Sequence, residues 1–331
     1  MRARATTWMT LLLAACAPTP AAPIVAAAPP PIAAITEHPD AITPPPIATA
    51  QPLIEPRGPM IAADAERYVV ALVDRDRAAH GLPPLRWDET AARAARRHAR
   101  DLVAHGVTSH IGTDGSVPEQ RYTEAGGRAM AWENVACFAD GEARSPDPEA
   151  QFHADNLADI EHAFMDEAPP HDGHRRNILR ATHNAVGVGI AAERGSHYAC
   201  LVQELVDDHG DFEALPLAVN AGRVVEVRGT LRPPLRVLAV GVSRADLAAP
   251  RTADSLRPTR KYAIPTPRLV CQPPGYHTRI ELETDATQRA FRVLVPIGAT
   301  GERGRYGVSV WASFPGSSEP TLISLRTVEA Y

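Results

Sequence analysis

The stretch GHRRNILRATHNAVGVG, residues 173–189, decides the fold that the sequence predicts for this chain. A helix is predicted shortly before it, over residues 148–165, and Pro169-Pro170 ends that helix. Two strands follow, one at residues 185–191 and one at residues 197–206, where the side chains alternate between two faces. The stretch therefore joins a helix to a pair of strands.

Two more helices are predicted upstream of this stretch. The first begins near Ala63 and ends at Gly81, and the second lies between Asp88, a plausible N-cap, and Gly106. Because helices and strands mix without a repeating strand–helix–strand order, the predicted fold class is α+β. The apolar face of the first helix is formed by Ala65, Tyr68, Val69, Leu72 and Val73.

After Asp208 the pattern changes to short alternating segments separated by Gly, Pro, Asp and Ser, with no helical stripe. Several short strands in about 110 residues are typical of a small antiparallel β-sandwich. We therefore predict such a domain at residues 219–331, without a motif that carries chemistry. Its predicted strands are residues 224–228, 235–242, 279–283, 291–295, 306–311 and 322–326.

The N-terminal segment MRARATTWMTLLLAAC, residues 1–16, has the layout of a secretory signal: Arg2 and Arg4, then a short apolar run, then small residues. Leu13-Ala14-Ala15-Cys16 resembles the lipobox of bacterial lipoproteins, in which the cysteine is acylated. This predicts an exported lipoprotein anchored at Cys16 and facing the periplasm or the cell surface. The alternative is a plain cleaved signal with an incidental cysteine.

Residues 17–60 hold 13 of the 32 prolines of the chain, mixed with Ala and Thr. Proline removes backbone donors and favours the extended polyproline II conformation, so no packed core is expected there. We interpret these residues as a disordered stalk and place the following domain at residues 61–208.

Overall composition excludes some classes of function. The chain has 331 residues, 44% of them apolar, and a formal net charge of -5. It thus lacks the basic field that nucleic-acid binding requires. Its longest apolar run is shorter than the ~20 residues of a membrane-spanning helix, so the lipid anchor is the only membrane attachment predicted.

Four passages in order carry a family resemblance. They are Ser109-His110 followed by Thr113-Asp114-Gly115; Trp132-Glu133-Asn134-Val135; residues 173–179; and His183 with Val186-Gly187-Val188-Gly189. Over residues 62–208 this set resembles the bacterial branch of the CAP superfamily, which includes cysteine-rich secretory proteins and plant pathogenesis-related proteins. The resemblance implies an α-β-α sandwich.

The same resemblance implies a cleft with two histidines and two acidic residues. Its motifs carry His110, Glu133 and His174 into that cleft, and Glu119 stands at about the expected distance for the second acid. This sequence departs from the family pattern at Trp132, where the motif usually has glycine, and at Phe164, where many bacterial members have tryptophan.

Two chemistries are open for this cleft. His110 and His174 could bind Zn²⁺, with Glu133 as ligand or base, in a metal-assisted hydrolase acting on peptide or cell-wall substrates. However, a third firm ligand, a His-Glu-x-x-His helix and a Gly-x-Ser-x-Gly nucleophile are all missing from the sequence. The preferred hypothesis is therefore a polar cleft with a binding or scaffold role for a small-molecule, lipid or polymer ligand, and catalysis is left open.

Several single residues have a structural interpretation. Glu133 could equally hydrogen-bond a neighbouring turn, His98 is expected to be a buried hydrogen-bonded histidine, and His183 is expected to order a loop. Setting Cys16 aside leaves three cysteines in an oxidising compartment. Cys137 and Cys200 lie in the same predicted domain and are the preferred disulfide, which leaves Cys271 free or intermolecular.

Overall fold

The computed structural model describes residues 11–14, 55–138, 140–259, 262–276, 278–299, 301–316 and 319–331. Cys16, the predicted lipidation site, and most of the predicted stalk lie outside these residues. Of the predicted signal segment, only Leu11–Ala14 is described, as a strand. Among the described helices, none combines the length and the apolarity that crossing a bilayer requires.

The first two helices form where the sequence predicts them, as α1 (Ala62–Ala79) and α2 (Glu89–His105). The carboxylate of Asp88 caps α2, since it accepts hydrogen bonds from the backbone N–H groups of Thr90 at 2.8 Å and Ala91 at 3.0 Å. Gly106 ends α2 with a φ of 60°, a left-handed conformation that glycine adopts at little cost.

Three shorter helices follow: α3 (Pro118–Glu124), α4 (Ala154–Met165) and α5 (Gly173–Ile178). The sequence does not predict α3 or α5, and it starts α4 six residues too early, at residue 148. Phe152 explains the later start, because its backbone exchanges hydrogen bonds of 2.8 and 2.9 Å with Met60. This pairing holds residue 152 in an extended conformation outside the helix.

The central sheet has five strands, in the order β1-β3-β5-β4-β2. The strand β2 pairs with β4 in parallel, and the other pairs are antiparallel. The strand β1 runs along the outer edge of β3, from Leu11 opposite Phe138 to Ala14 opposite Val135. The strands are β1 (Leu11–Ala14), β2 (Arg86–Trp87), β3 (Met130–Phe138), β4 (Ala185–Ala192) and β5 (Ala199–Asp207).

Helices cover both faces of this sheet. Helices α1 and α4 pack on one face, in a core that includes Leu72, Phe164 and Leu205. Helix α2 packs on the other face, where Leu102 lies against Val135 and Val202. The predicted α+β class and its α-β-α arrangement are thus confirmed.

Two glycines of β4 allow α2 to lie directly on the sheet. A Cβ atom at Gly187 would be 2.1 Å from the backbone nitrogen of Ala92, and one at Gly189 would be 2.1 Å from that of Arg96. No side chain fits in this space. The alternation Val186-Gly187-Val188-Gly189 therefore sets the distance between helix and sheet, while its valines fill the opposite core.

The C-terminal part consists of two further sheets. One has the order β10-β9-β13-β14-β7 and the other β11-β12-β8-β6. All pairs are antiparallel except β14 with β7, and apolar side chains such as Val227, Val240 and Val308 share one core. The elements are β6 (Gly210–Phe212), β7 (Ala218–Val219), β8 (Val224–Leu231), β9 (Arg236–Ala245), α6 (Ala253–Leu256), β10 (Leu269–Cys271), β11 (Glu283–Thr284), β12 (Ala290–Pro296), β13 (Gly304–Ser313) and β14 (Thr321–Ala330).

Most of the strands predicted for this part are present, but two details differ. Of the segment predicted as a strand at residues 279–283, only Glu283 lies in a named strand, at the start of β11, and the short helix α6 was not predicted. The C-terminal sheets pack against the central sheet through a small apolar cluster. In it, Met130 and Trp132 of β3 contact Leu322 and Leu325 of β14. The guanidinium of Arg305 also donates to the side-chain oxygen of Gln120 over 3.0 Å.

Candidate functional site

Glu133 lies at the centre of a buried charged cluster on the α2 side of β3. His110, in the loop after α2, donates from Nδ1 to Glu133 Oε1 over 2.8 Å. Arg121, on α3, donates from Nη2 to Glu133 Oε2 over 2.7 Å and to the carbonyl oxygen of His110 over 3.0 Å. All three side chains are buried. One loop, one helix and one strand are thus joined through a single carboxylate.

The charge of Glu133 is stabilised by these neighbours. Burial alone would raise the pKa of Glu133, but the positive charge of Arg121, with contributions from His98 and His110, holds that pKa well below its usual range. Burial lowers the pKa of His98, which donates from Nε2 to the carbonyl oxygen of Ser109 over 2.7 Å. Glu133 is therefore ionised and His98 neutral near pH 7, and His98 is the buried histidine that the sequence predicts.

A second buried carboxyl group lies next to Glu133 on the neighbouring strand. Glu204 of β5 stands opposite Glu133 in the strand register. Burial and the negative charge of Glu133 raise the pKa of Glu204 well above its usual range. Burial thus favours the protonated form of Glu204 beside the Glu133 carboxylate, an arrangement that lets two acidic side chains share one buried space.

Glu119 joins the same region from the first turn of α3. It lines a cavity of about 20 Å³ together with His110 and Glu133, which is room for about one water molecule. The far wall of this cavity comes from Tyr262 and Ile264, in the segment between β9 and β10. The phenolic hydroxyl of Tyr262 donates to Glu119, and burial raises the pKa of the Glu119 carboxyl.

His174 has a different carboxylate partner. Its Nδ1 lies 2.5 Å from Glu167 Oε1, and its backbone N–H donates to Glu167 Oε2 over 2.8 Å. The imidazole stacks on Phe164, with ring centroids 4.4 Å apart. Phe164, the residue that departs from the family pattern, therefore supports the histidine directly.

A chain of amide side chains connects His174 to β3. Asn134 donates to the carbonyl oxygen of His174 over 3.2 Å, and Asn177 of α5 donates to the side chain of Asn134 over 2.9 Å and to the carbonyl oxygen of Glu133 over 3.4 Å. Successive residues of a strand face opposite sides of the sheet, so Asn134 contacts α5 while Glu133 contacts α2 and α3. The helix that carries His174 is thereby docked beside Glu133.

The four sequence-predicted cleft residues are thus arranged as one group of three and one separate residue. His110, Glu119 and Glu133 line one cavity, whereas His174 is not among its described lining residues and pairs with Glu167. Sequence reasoning missed Arg121, Glu167, Glu204 and Tyr262. Only Glu204 carries a usable signal, since its position in the alternating strand 197–206 places it on the same face as Cys200 and Val202.

The residues that the structure describes do not fit a zinc site. Catalytic zinc needs three protein ligands. Within the described part of the chain, no group of three or more His, Cys, Asp or Glu side chains has the geometry to hold a metal ion. His110 and His174 each use Nδ1 for a separate carboxylate. We therefore derive no chemical step through a metal.

His183 and the paired cysteines Cys137 and Cys200 have structural roles. His183 donates from Nδ1 to Asp207 over 2.9 Å, and Arg77 binds the carbonyl oxygens of Ile178, Arg180 and His183, which orders the loop after α5. His171 is exposed. The predicted disulfide between Cys137 and Cys200 is confirmed, with Cα atoms 4.1 Å apart on paired strands. Cys271 is a buried free thiol.

The comparison with known families agrees with this architecture. Residues 70–205 match the family model of CAP, the cysteine-rich secretory protein family. Residues 70–205 are therefore a CAP domain, as the four motifs predict. The match ends before the C-terminal sheets.

Among solved structures, one that is similar to the chain is an extracellular protein containing an SCP domain from Bacillus anthracis str. Ames. The two are 22% identical with a TM-score of 0.33, and the match covers 43% of this chain and 41% of that one. The chain thus spans less than half of that protein. No curated protein matches the chain.

Proposed function

We propose that this chain is an exported, lipid-anchored protein of the cell envelope whose CAP domain binds a ligand or serves as a scaffold. The observation that carries the proposal is the pairing of Glu133 with both His110 and Arg121. These groups neutralise one another inside the protein. Such a cluster is suited to provide a fixed, polar lining for a ligand or a partner.

The electrostatics around Glu133 argue against general acid–base catalysis by this residue. An efficient base has a pKa near the working pH. Arg121 keeps the pKa of Glu133 far below that range. Glu133 is therefore not poised to take up and release a proton near pH 7.

Export and anchoring are supported by two features of the chain. A disulfide between Cys137 and Cys200 is typical of oxidising compartments. The segment Leu13-Ala14-Ala15-Cys16 has the form of a lipobox. Mass spectrometry of the mature N-terminus tests this: we expect an acylated Cys16 as the first residue, and a chain that begins elsewhere, without acyl groups, would overturn the anchor.

The binding role is tested with full-length protein in detergent. Peptidoglycan fragments and envelope peptides are titrated calorimetrically, and their masses are measured before and after incubation. We expect saturable binding without a change in mass, weakened by Glu119→Gln. The control Glu142→Gln alters an exposed side chain and should bind as wild type. Turnover of a fragment that is lost with His174→Ala would overturn the proposal in favour of an enzyme.

A further inference from the structure

The cavity at His110, Glu119 and Glu133 is built from two parts of the chain. Tyr262 and Ile264 lie outside residues 70–205, which match the CAP family, yet they form one wall of this cavity. They belong to the connection between β9 and β10, of which the structure describes residues 246–259 and 262–268; we call these described residues the cover segment. A CAP-type fold alone would leave that wall missing.

The cover segment is held on the CAP domain at several points. The backbone N–H of Arg251 donates to the carbonyl oxygen of Thr113 over 2.7 Å, and the guanidinium of Arg257 donates to that of Gly141 over 2.7 Å. Leu256 of α6 is buried in the same apolar cluster as Leu102 of α2. These contacts fix the segment across the domain rather than leaving it as a loose connection.

At the cavity the cover segment offers one polar and one apolar group. The hydroxyl of Tyr262 donates to Glu119, and Ile264 packs against the cluster of Met130 and Trp132. His110 behind them is only 2% exposed. The space left beside the three side chains holds about one water molecule, so a larger ligand cannot enter while Tyr262 is in place.

We propose that Tyr262 is an internal occupant of the binding cavity and determines its ligand specificity. A ligand enters by displacing Tyr262 from Glu119 and supplies a hydroxyl donor to that carboxyl group in its place. This inference rests on the proposed binding function and names the class of ligand. The part of the ligand that enters the cavity is uncharged and carries a hydroxyl group on an apolar ring.

Each proposed property of the ligand follows from the side chains that line the cavity. Glu119 accepts a hydrogen bond, so the incoming group must be a donor. Met130, Trp132 and Ile264 are apolar and take the ring. A carboxylate or phosphate is excluded from the part of the ligand that enters the cavity, because Glu133 there is already ionised and excess negative charge in a buried space is costly.

Chemical labelling of histidine with diethyl pyrocarbonate, mapped by peptide mass spectrometry on the full chain, tests whether Tyr262 closes the cavity. We expect Tyr262→Ala to raise the labelling rate of His110 by roughly tenfold or more, the factor associated with one lost hydrogen bond. His162 has an exposed side chain and serves as the reference, while His98 is fully buried and reports unfolding. Tyr276→Phe, at an exposed tyrosine, is the matched control.

Protection of His110 in a folded Tyr262→Ala protein would overturn the proposal. If His98 also becomes reactive, the Tyr262→Ala protein has unfolded. The labelling rate of His110 is then measured in Tyr262→Phe, which removes only the hydroxyl. Faster labelling of His110 in that variant supports the proposal, and a wild-type rate overturns it. This labelling uses no natural ligand, so its failure is distinct from a failure of the proposed binding function.

Specificity for a hydroxyl is tested with p-cresol, which has the shape of the deleted tyrosine side chain, and with toluene, which lacks the hydroxyl. We expect p-cresol to restore protection of His110 in Tyr262→Ala at concentrations where toluene does not. Equal protection by both compounds, or by neither, would overturn the role of Glu119 as the acceptor that selects the ligand.

Discussion

Arg121 and Glu133 form a buried ion pair in which Nη2 of the arginine lies 2.7 Å from Oε2 of the glutamate. Neither residue is more than 4% exposed. A buried carboxylate is tolerated only when its charge is compensated, so this pair is a condition for placing Glu133, and with it His110, in the interior. The contribution of this ion pair to the free energy of unfolding can be measured directly.

Arg121→Met is expected to lower the free energy of unfolding by ~3–5 kcal/mol, because it leaves the Glu133 charge buried without a partner. Urea denaturation followed by circular dichroism measures this. The double variant Arg121→Met/Glu133→Leu should lose less than the single variant, since it removes the uncompensated charge. Arg100→Met, on the exposed face of α2, should stay within ~0.5 kcal/mol of wild type. A single variant as stable as this control would contradict the interpretation.

Gly189→Ala is expected to destabilise the CAP domain. The added Cβ would lie 2.1 Å from the backbone nitrogen of Arg96, so helix and sheet must separate. Such overpacking costs ~1–3 kcal/mol, and more when backbone must shift. Thermal unfolding measures the loss. The control is Gly58→Ala, where a Cβ meets nothing within 4 Å; equal melting temperatures for the two variants would refute the close-approach argument.

The stability of the protein should fall between pH 4.5 and about 8 in part because of Glu161. Burial raises the pKa of this carboxyl from 4.5 to about 8. Between those values the folded protein keeps a proton that the unfolded chain has released, so rising pH favours unfolding, by up to ~1.4 kcal/mol per pH unit. Urea denaturation at several pH values measures this slope.

Glu161→Gln removes that titration and can keep the hydrogen bond with Gln203, which now spans 2.7 Å. Its stability should therefore exceed that of wild type by an amount that grows from pH 4.5 to 8 and then levels off. Glu142→Gln, at an exposed position, should follow the wild-type curve. Parallel curves for wild type and Glu161→Gln would mean that the buried carboxyl does not titrate in this range.

Removal of the disulfide is expected to cost ~2–5 kcal/mol of unfolding free energy. The bond joins residues 63 positions apart and ties β3, which carries Glu133, to β5, which carries Glu204. The variant Cys137→Ala/Cys200→Ala, measured by urea denaturation, should match reduced wild type. Dithiothreitol should have no further effect on it; a further loss would point to a different disulfide.

Zinc should not bind at His110 and His174 as a joint site. Among the residues that the structure describes, no group of three or more His, Cys, Asp or Glu side chains has the geometry to hold a metal ion. In calorimetric titrations, wild type and His110→Ala/His174→Ala should take up zinc alike. A saturable one-to-one site present only in wild type would reverse this assignment and reopen the metal-assisted hydrolase hypothesis.

The sequence by itself determined the elements whose signals are local. The capped helix α2 between Asp88 and Gly106, the α+β class and the CAP motifs all follow from short-range patterns. The pairing of Cys137 with Cys200 followed from their shared domain. His110 and Glu133 were also found, because each lies inside a short motif.

Only the tertiary structure decided which partners these residues have. Tyr262 bonds to Glu119 from 143 positions away, and Glu133 meets Arg121 only because α3 packs beside β3. The tertiary structure also pairs His174 with the carboxylate of Glu167 and not with that of Glu133. Contacts between distant segments leave no periodicity in the chain, since they depend on how helices and strands pack once formed, and burial then determines which charges must be paired.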